Sequence, residues 1–188
     1  MTRRGWLQGL LAAGAWTLVS GPSGAARSSG STKSVEELQK NWRMLLAQGV
    51  NVPVPTEPLK LSNDEWRKRL EKMQYYVLRE EGTEHAGSSP LNNEKRPGVF
   101  ACAGCDLPLF TSDMKYESGT GWPSFFTTIP GVFGNKKDYG LFLPRIEYHC
   151  IRCGGHHGHV FDDGPPPTGK RWCNNGVALK FIPKTGKA

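Results

Sequence analysis

Two Cys-x-x-Cys pairs constrain this chain more than any other feature: Cys102 with Cys105, and Cys150 with Cys153. Thiols at this spacing form a knuckle, and two knuckles facing each other make the tetrahedral sulfur cage that zinc prefers in structural sites. The segment between the pairs is longer than in a compact zinc ribbon. The ion would therefore pin two distant hairpins rather than fold a small finger. Two disulfides are an alternative. An iron–sulfur site is another, although the Cys-Pro and tightly spaced triple-cysteine patterns of such sites are missing. A closed four-sulfur site has no open position, so a metal held there is expected to be structural and not catalytic. The chain has 5 cysteines, an odd number that argues against a purely disulfide framework. Cys173 is the one left over.

A cage of this kind suits a sheet protein, and the composition agrees. Among 188 residues there are 23 Gly and 14 Pro, with a hydrophobic fraction of 37%. That favours a turn-rich β domain over a helical bundle. From position 99 onward, short strand signals follow one another closely: residues 99–101, 109–110, 122–127, 141–148, 158–161 and 177–182. The expected fold is mainly β, two antiparallel sheets in a sandwich or partly open barrel, with short N-terminal helices. Two capping boxes mark those helices. Ser34 with Glu37 opens a helix over residues 35–48 carrying Leu38, Trp42, Leu45 and Leu46. Ser62 with Glu65 opens a second, with Trp66, Leu70, Met73 and Val77 on one stripe. A Pro/Val linker separates them, and residues 82–98 read as a polar loop.

Residues 1–30 read as an export signal. Arg3 and Arg4 precede a weakly apolar run over residues 5–19 that is shorter than the roughly 20 residues a spanning helix needs. Thr2 to Gln8 resembles a bacterial twin-arginine signal, and a mitochondrial transit peptide is the alternative. The divisions expected are 1–30 signal, 31–61 helix and linker, 62–183 catalytic domain and 184–188 tail. After signal removal, no stable membrane insertion is expected, and the product is expected to be a monomer. The net charge is +7, but residues 1–34 supply Arg3, Arg4, Arg27 and Lys33 and no acid. The remainder carries 24 − 4 = 20 positive and 17 negative groups, or +3. So mild a balance, without a basic run interleaved with aromatics, gives no reason to expect a nucleic-acid partner.

Cys173 has neighbours that suit chemistry. Arg171, two residues before it, can favour the thiolate. Asn175, two residues after, falls on the same side of a strand. His156 and His159 lie upstream, near the Asp162-Asp163-Gly164-Pro165 turn. A thiolate with an acid donor is the minimum set for attacking a polarised centre. A buried, inert thiol is the bland alternative.

Three motifs carry a resemblance: Gly119-Thr-Gly-Trp-Pro-Ser-Phe125, Gly155-His-His-Gly-His-Val-Phe-Asp-Asp-Gly-Pro165 and Arg171-Trp-Cys-Asn-Asn175. They resemble the methionine-R-sulfoxide reductase (MsrB) family. The two cysteine pairs match that family's zinc site, and Gly82-Thr-Glu84 matches its loop ahead of the sheet. The resemblance runs from about residue 62 to 181. It implies reduction of the R epimer of methionine sulfoxide in oxidised protein substrates, on a fold of two antiparallel sheets with structural Zn2+. It places Cys173 as nucleophile, His156 and His159 as acid and hydrogen-bonding groups, and Asp163 as the group orienting the histidines. Arg171 is expected to lower the thiol pKa, Asn175 to hydrogen-bond in the site, and Trp122 to pack against the substrate methyl group. His157 stands where the family usually has leucine and is expected to face solvent or pack. Trp172 replaces a usual tyrosine. Thr120 occupies the position where many relatives carry a resolving cysteine. The expected cycle therefore passes through a Cys173 sulfenic acid that a thioredoxin-like protein or a small thiol reduces. The competing class is a zinc-stabilised binding module on the same scaffold, with Cys173 inert.

Overall fold

The structure is a computed structural model, and it describes residues 33–55, 57–138 and 145–185. The expected signal segment and the start of the strand expected over residues 141–148 lie outside the described residues. Among the described residues no helix is long and apolar enough to cross a membrane.

Among the described residues three short helices precede the sheets: α1 (Val35–Lys40), α2 (Asn63–Arg69) and α3 (Lys72–Glu80). Both capping boxes form as the sequence predicts. In α1 the Glu37 amide donates to Ser34 Oγ and the Ser34 amide to Glu37 Oε2. In α2 the Glu65 and Ser62 pair does the same. Each box satisfies two amides that the first helical turn leaves without intrahelical partners. The helices are shorter than their periodicity suggests. α1 stops at Lys40 and passes into a 3-10 turn at Trp42–Leu45. The second stripe breaks at Leu70 and resumes as α3, so Met73 is exposed while Trp66, Leu70 and Val77 are buried.

Among the described residues nine strands follow: β1 (Gly98–Cys102), β2 (Pro108–Thr111), β3 (Lys115–Tyr116), β4 (Ser124–Phe125), β5 (Phe133–Asp138), β6 (Arg145–Cys150), β7 (His156–Phe161), β8 (Arg171–Asn174) and β9 (Leu179–Pro183). They form two antiparallel sheets, ordered β2-β1-β9 and β3-β4-β8-β7-β6-β5. The mainly β expectation holds. The strand expected over residues 122–127 shrinks to β4, and β5 has no counterpart in the sequence pattern.

An aromatic seam joins the sheets. Phe110 of β2 stacks on Phe125 of β4 with ring centroids 3.9 Å apart, and Phe100 of β1 meets the same ring edge-on. Phe133, Tyr148 and Trp172 continue the seam along the larger sheet. Aromatic pairs at such spacings add to what their burial alone contributes. Side chains alternate between the faces of a strand. With Trp172 turned to this seam, Arg171 and Cys173 point to the opposite face of the six-stranded sheet.

Candidate active site

Strand register builds the site. Reading across the larger sheet, Tyr116 of β3 pairs with Ser124 of β4, Ser124 with Cys173 of β8, and Cys173 with His159 of β7. His159 in turn pairs with Glu147 of β6, and Glu147 with Lys136 of β5. Directly opposed residues of an antiparallel ladder present their side chains on one face, about 5 Å apart. One transverse row thus carries a thiol, an imidazole, a carboxylate and an ammonium group.

A bulge lets a second histidine join the row. The β6/β7 register shifts between Tyr148 and His149, so that Tyr148 faces Gly158 while His149 faces His156. Simple alternation would put His156 and His159, three residues apart, on opposite faces. The extra residue of a bulge cancels that. The two rings stand edge to face with centroids 5.6 Å apart. The same irregularity sends His157 the other way. It is fully buried, 3.4 Å from Cys102 Sγ and packed on Phe133 and Tyr148, and burial drives its imidazole pKa down to about 3. Of the two placements expected for His157, packing is the one realised.

The cleft over this row has a volume of about 420 Å³ and is lined by Thr83, Trp122, Arg145, Gly158, His159, Phe161, Cys173, Asn174 and Asn175. Four of the sequence-predicted residues, Trp122, His159, Cys173 and Asn175, meet there. His156 lies behind, 3% exposed. Gly158 is required by closeness alone: a Cβ on it would overlap the Cys173 carbonyl oxygen.

Each predicted group has a definite partner. Arg171 makes a two-pronged pair with Asp163, Nε and one terminal nitrogen each 2.8 Å from a carboxylate oxygen, and its guanidinium lies over the Phe161 ring. Asp163 is thus engaged by Arg171 rather than by the histidines it was expected to orient, and the guanidinium holds its carboxyl below the usual range. The histidines have other carboxylates. His159 Nε2 is 2.8 Å from Asp138 Oδ2, and Arg145 approaches the same oxygen at 2.7 Å. His156 Nδ1 lies 2.9 Å from Glu147 Oε1, close enough for charge but off the line of a hydrogen bond. Burial lowers the His159 pKa, and the Asp138 bond opposes that shift.

Burial pushes the Cys173 thiol up. The Arg171 charge and hydrogen bonds from Thr120 and Arg171 pull it down without overcoming the burial. Arg171 acts in the expected direction, but it does not win. Thr120 belongs to a hydroxyl chain in which Ser118 Oγ is 2.8 Å from both Thr120 Oγ1 and Ser124 Oγ.

Asn175 is spent on the backbone. Its Nδ2 donates to the His157 carbonyl and its Oδ1 accepts from the Glu84 amide. Glu84, which sequence reasoning left without a role, is 3% exposed and accepts from the Gly176 and Val177 amides. Its own carbonyl accepts from Trp122 Nε1 at 3.2 Å. One buried glutamate therefore fastens the loop before the sheet, the indole and the end of β8 together. Burial raises its pKa against those two amide bonds.

At the other end of the sheet the four cysteines meet. Cys102, Cys105, Cys150 and Cys153 are all buried, with ligand atoms within 4.8 Å of one another, and can hold a metal ion. Cys102 Sγ lies 3.7 Å from Cys153 Sγ, and Cys105 Sγ 3.5 Å from Cys150 Sγ. A tetrahedron of thiolates at the usual zinc distance has edges of about 3.8 Å. Gly154 turns the second knuckle at φ 68°, a left-handed conformation that glycine adopts without cost.

The chain was also compared with known proteins. Residues 70–183 match the SelR domain model. A peptide methionine sulfoxide reductase MsrB from Methanosarcina barkeri is 53% identical over 64% of this chain and 85% of its own length. The chloroplastic peptide methionine sulfoxide reductase B1 of Arabidopsis thaliana is 45% identical over 84% of this chain and 71% of its own. Methionine-R-sulfoxide reductase B3, mitochondrial, of Mus musculus is 46% identical over 65% of this chain and 49% of its own. With the matched model spanning the domain that carries both the cysteine cage and the cleft, the chain belongs to the SelR domain family.

Proposed function

We infer that the protein reduces methionine-R-sulfoxide residues in oxidised proteins to methionine. The observation that carries this reading is the sharing of one cleft by Cys173, His159 and Trp122. The Cys173 thiolate attacks the sulfoxide sulfur and the sulfoxide oxygen takes up a proton. The oxygen then transfers to the thiolate sulfur, and methionine leaves. Counted over the step, thiolate, sulfoxide and one proton become sulfenic acid and thioether. His159, in the cleft, is the donor to that oxygen, with His156 behind it. The Trp122 indole gives the methyl on sulfur an apolar wall. Arg171 counters the penalty that burial imposes on the thiolate, and Asp163 holds Arg171 in place. Asn175 acts by fixing the backbone around His157 and Glu84.

Zinc is the ion that the four-thiolate cage suits. When bound it cross-links two hairpins and offers no open position for chemistry. With those four sulfurs engaged, Cys173 is the fifth of 5 cysteines and has no intramolecular partner. Two equivalents of an external thiol then convert the sulfenic acid to thiol, with one disulfide and one water formed. A thioredoxin-like protein or a small thiol fills that role. Mass spectrometry after one equivalent of substrate tests this cycle. A Cys173 heavier by one oxygen is the expected species, and an internal disulfide refutes the scheme.

The domain acts as a monomer after residues 1–30 direct it out of the cytosol. Arg3 and Arg4 favour the twin-arginine route to the periplasm, which exports a folded, metal-loaded domain and so spares its thiols from oxidation during transit. A mitochondrial address is the alternative. Cell fractionation checks it: activity confined to the cytoplasm contradicts export.

A further inference from the structure

The transverse row does not end at the histidines. Glu147 is 3% exposed, stands opposite His159 in register and brings Oε1 to 2.9 Å from His156 Nδ1. Its other oxygen, Oε2, is 3.1 Å from Lys136 Nζ. Lys136 is half-exposed and also pairs with Glu81 just past the end of α3. Neither nitrogen of His156 has an aligned hydrogen-bond partner, although the ring is almost wholly buried. A buried imidazole in that position needs a reason.

We propose that Glu147 is a positioning residue of the reductase, a buried counter-charge that keeps the His156–His159 pair able to hold the proton delivered to the sulfoxide oxygen. This rests on the function inferred above. Glu147 lines no part of the cleft and touches no reacting atom. Its carboxylate, opposite His159 in register, favours the protonated form of that ring, and Lys136, on its far side, moderates that effect. Among the described residues, the other titratable or charged groups facing the pair are Asp138, Arg145 and Cys173 beside His159, His149 opposite His156 in register, and Glu81 beyond Lys136. His157 is turned to the opposite face and is neutral.

Glu147→Gln removes the counter-charge, so the His159 imidazole holds its proton less well. The alkaline limb of the kcat profile moves about one pH unit lower, and kcat above that limb falls about tenfold, because one pKa unit is a tenfold change in the protonated fraction. KM stays near the wild-type value. Lys136→Met removes the opposing charge and moves the limb higher. Glu147→Asp keeps the charge and returns most of the wild-type profile. Nuclear magnetic resonance titration of the His156 and His159 ring protons reads the same shifts without turnover. If the wild-type protein reduces no R epimer, the functional reading fails while this titration still decides the role of Glu147. Ring titrations unmoved in Glu147→Gln, or displaced the same way in Glu147→Gln and Lys136→Met, would overturn the proposal. Should Glu147→Gln fail to fold, Glu147→Asp and Lys136→Met carry the test.

Discussion

Cys173 and His159 stand directly opposite each other across β8 and β7, in a ladder whose neighbouring rungs are Ser124 on one side and Glu147 on the other. The thiol and imidazole to which we assign attack and proton donation are thus joined by backbone register rather than by a flexible loop. Their mutual placement should survive changes at the rim of the cleft. Replacing His159 by Asn keeps a polar group but removes the titratable proton. We expect kcat to fall by about 100-fold, the lower range for loss of a general acid, with unchanged thermal stability. Steady-state kinetics and a melting curve on the same sample check both.

The thiol of Cys173 is held above its ordinary pKa by burial, against the pull of Arg171 and Thr120. Arg171→Met removes the guanidinium and leaves the exposed Asp163 carboxylate nearby. The thiolate becomes less favourable, so the pH midpoint for alkylation by iodoacetamide moves higher. Thr120→Val moves it in the same direction by a smaller amount. Alkylation rates across pH 6 to 11, a range of roughly two units either side of the ordinary thiol value, measure this directly. A midpoint moving lower in Arg171→Met would contradict the assignment.

Gly158 leaves no room for a side chain because the Cys173 carbonyl oxygen occupies it. Gly158→Ala must push β8 away from β7 at the rung that matters most. The expected cost is about 2 kcal/mol in stability, in the range for overpacking. Chemical denaturation reads that cost, and the accompanying fall in turnover is expected to exceed the fraction of protein unfolded.

Glu84 accepts from two buried amides, Gly176 and Val177. Glu84→Ala leaves both unpaired, at about 1–3 kcal/mol each before relaxation. It also frees the loop whose carbonyl holds Trp122. We expect lower stability and a raised KM for the sulfoxide, with kcat less affected.

Metal analysis should find one zinc per chain. Cys105→Ser breaks the cage and removes the cross-link between the β1 turn and the turn after β6. Thiolate-bound zinc contributes directly to folding free energy, so the midpoint of thermal unfolding should drop by more than about 10 °C. Adding a chelator to the wild-type protein should reproduce that drop, while the Cys105→Ser midpoint should not respond.

What the sequence disclosed and what it withheld follow from the range of the interactions. The capping boxes at Ser34 and Ser62 span four residues each, so local spacing was enough. The cysteine pairs announced themselves because metal geometry dictates their spacing. Strand β5 was hidden: Phe-Gly-Asn-Lys-Lys-Asp has no alternation, and its extended shape comes from pairing with β6. Glu147 and Asp138 were missed for the same reason. Each becomes a histidine partner only when the register of three strands is known, and no single stretch of sequence contains that register. The bulge at Tyr148 likewise decides that His156 joins His159 while His157 turns to the cysteine cage. The resemblance gives Asp163 to the histidines, yet the turn it sits in brings the carboxylate to Arg171.

Turnover of the separate R and S epimers of dabsyl-methionine sulfoxide with dithiothreitol tests the central claim most directly, run on the wild-type protein and on Cys173→Ser. The account predicts reduction of the R epimer alone by the wild-type protein and none by Cys173→Ser. Reduction of the S epimer, or R-epimer turnover that persists without the Cys173 thiol, would contradict it.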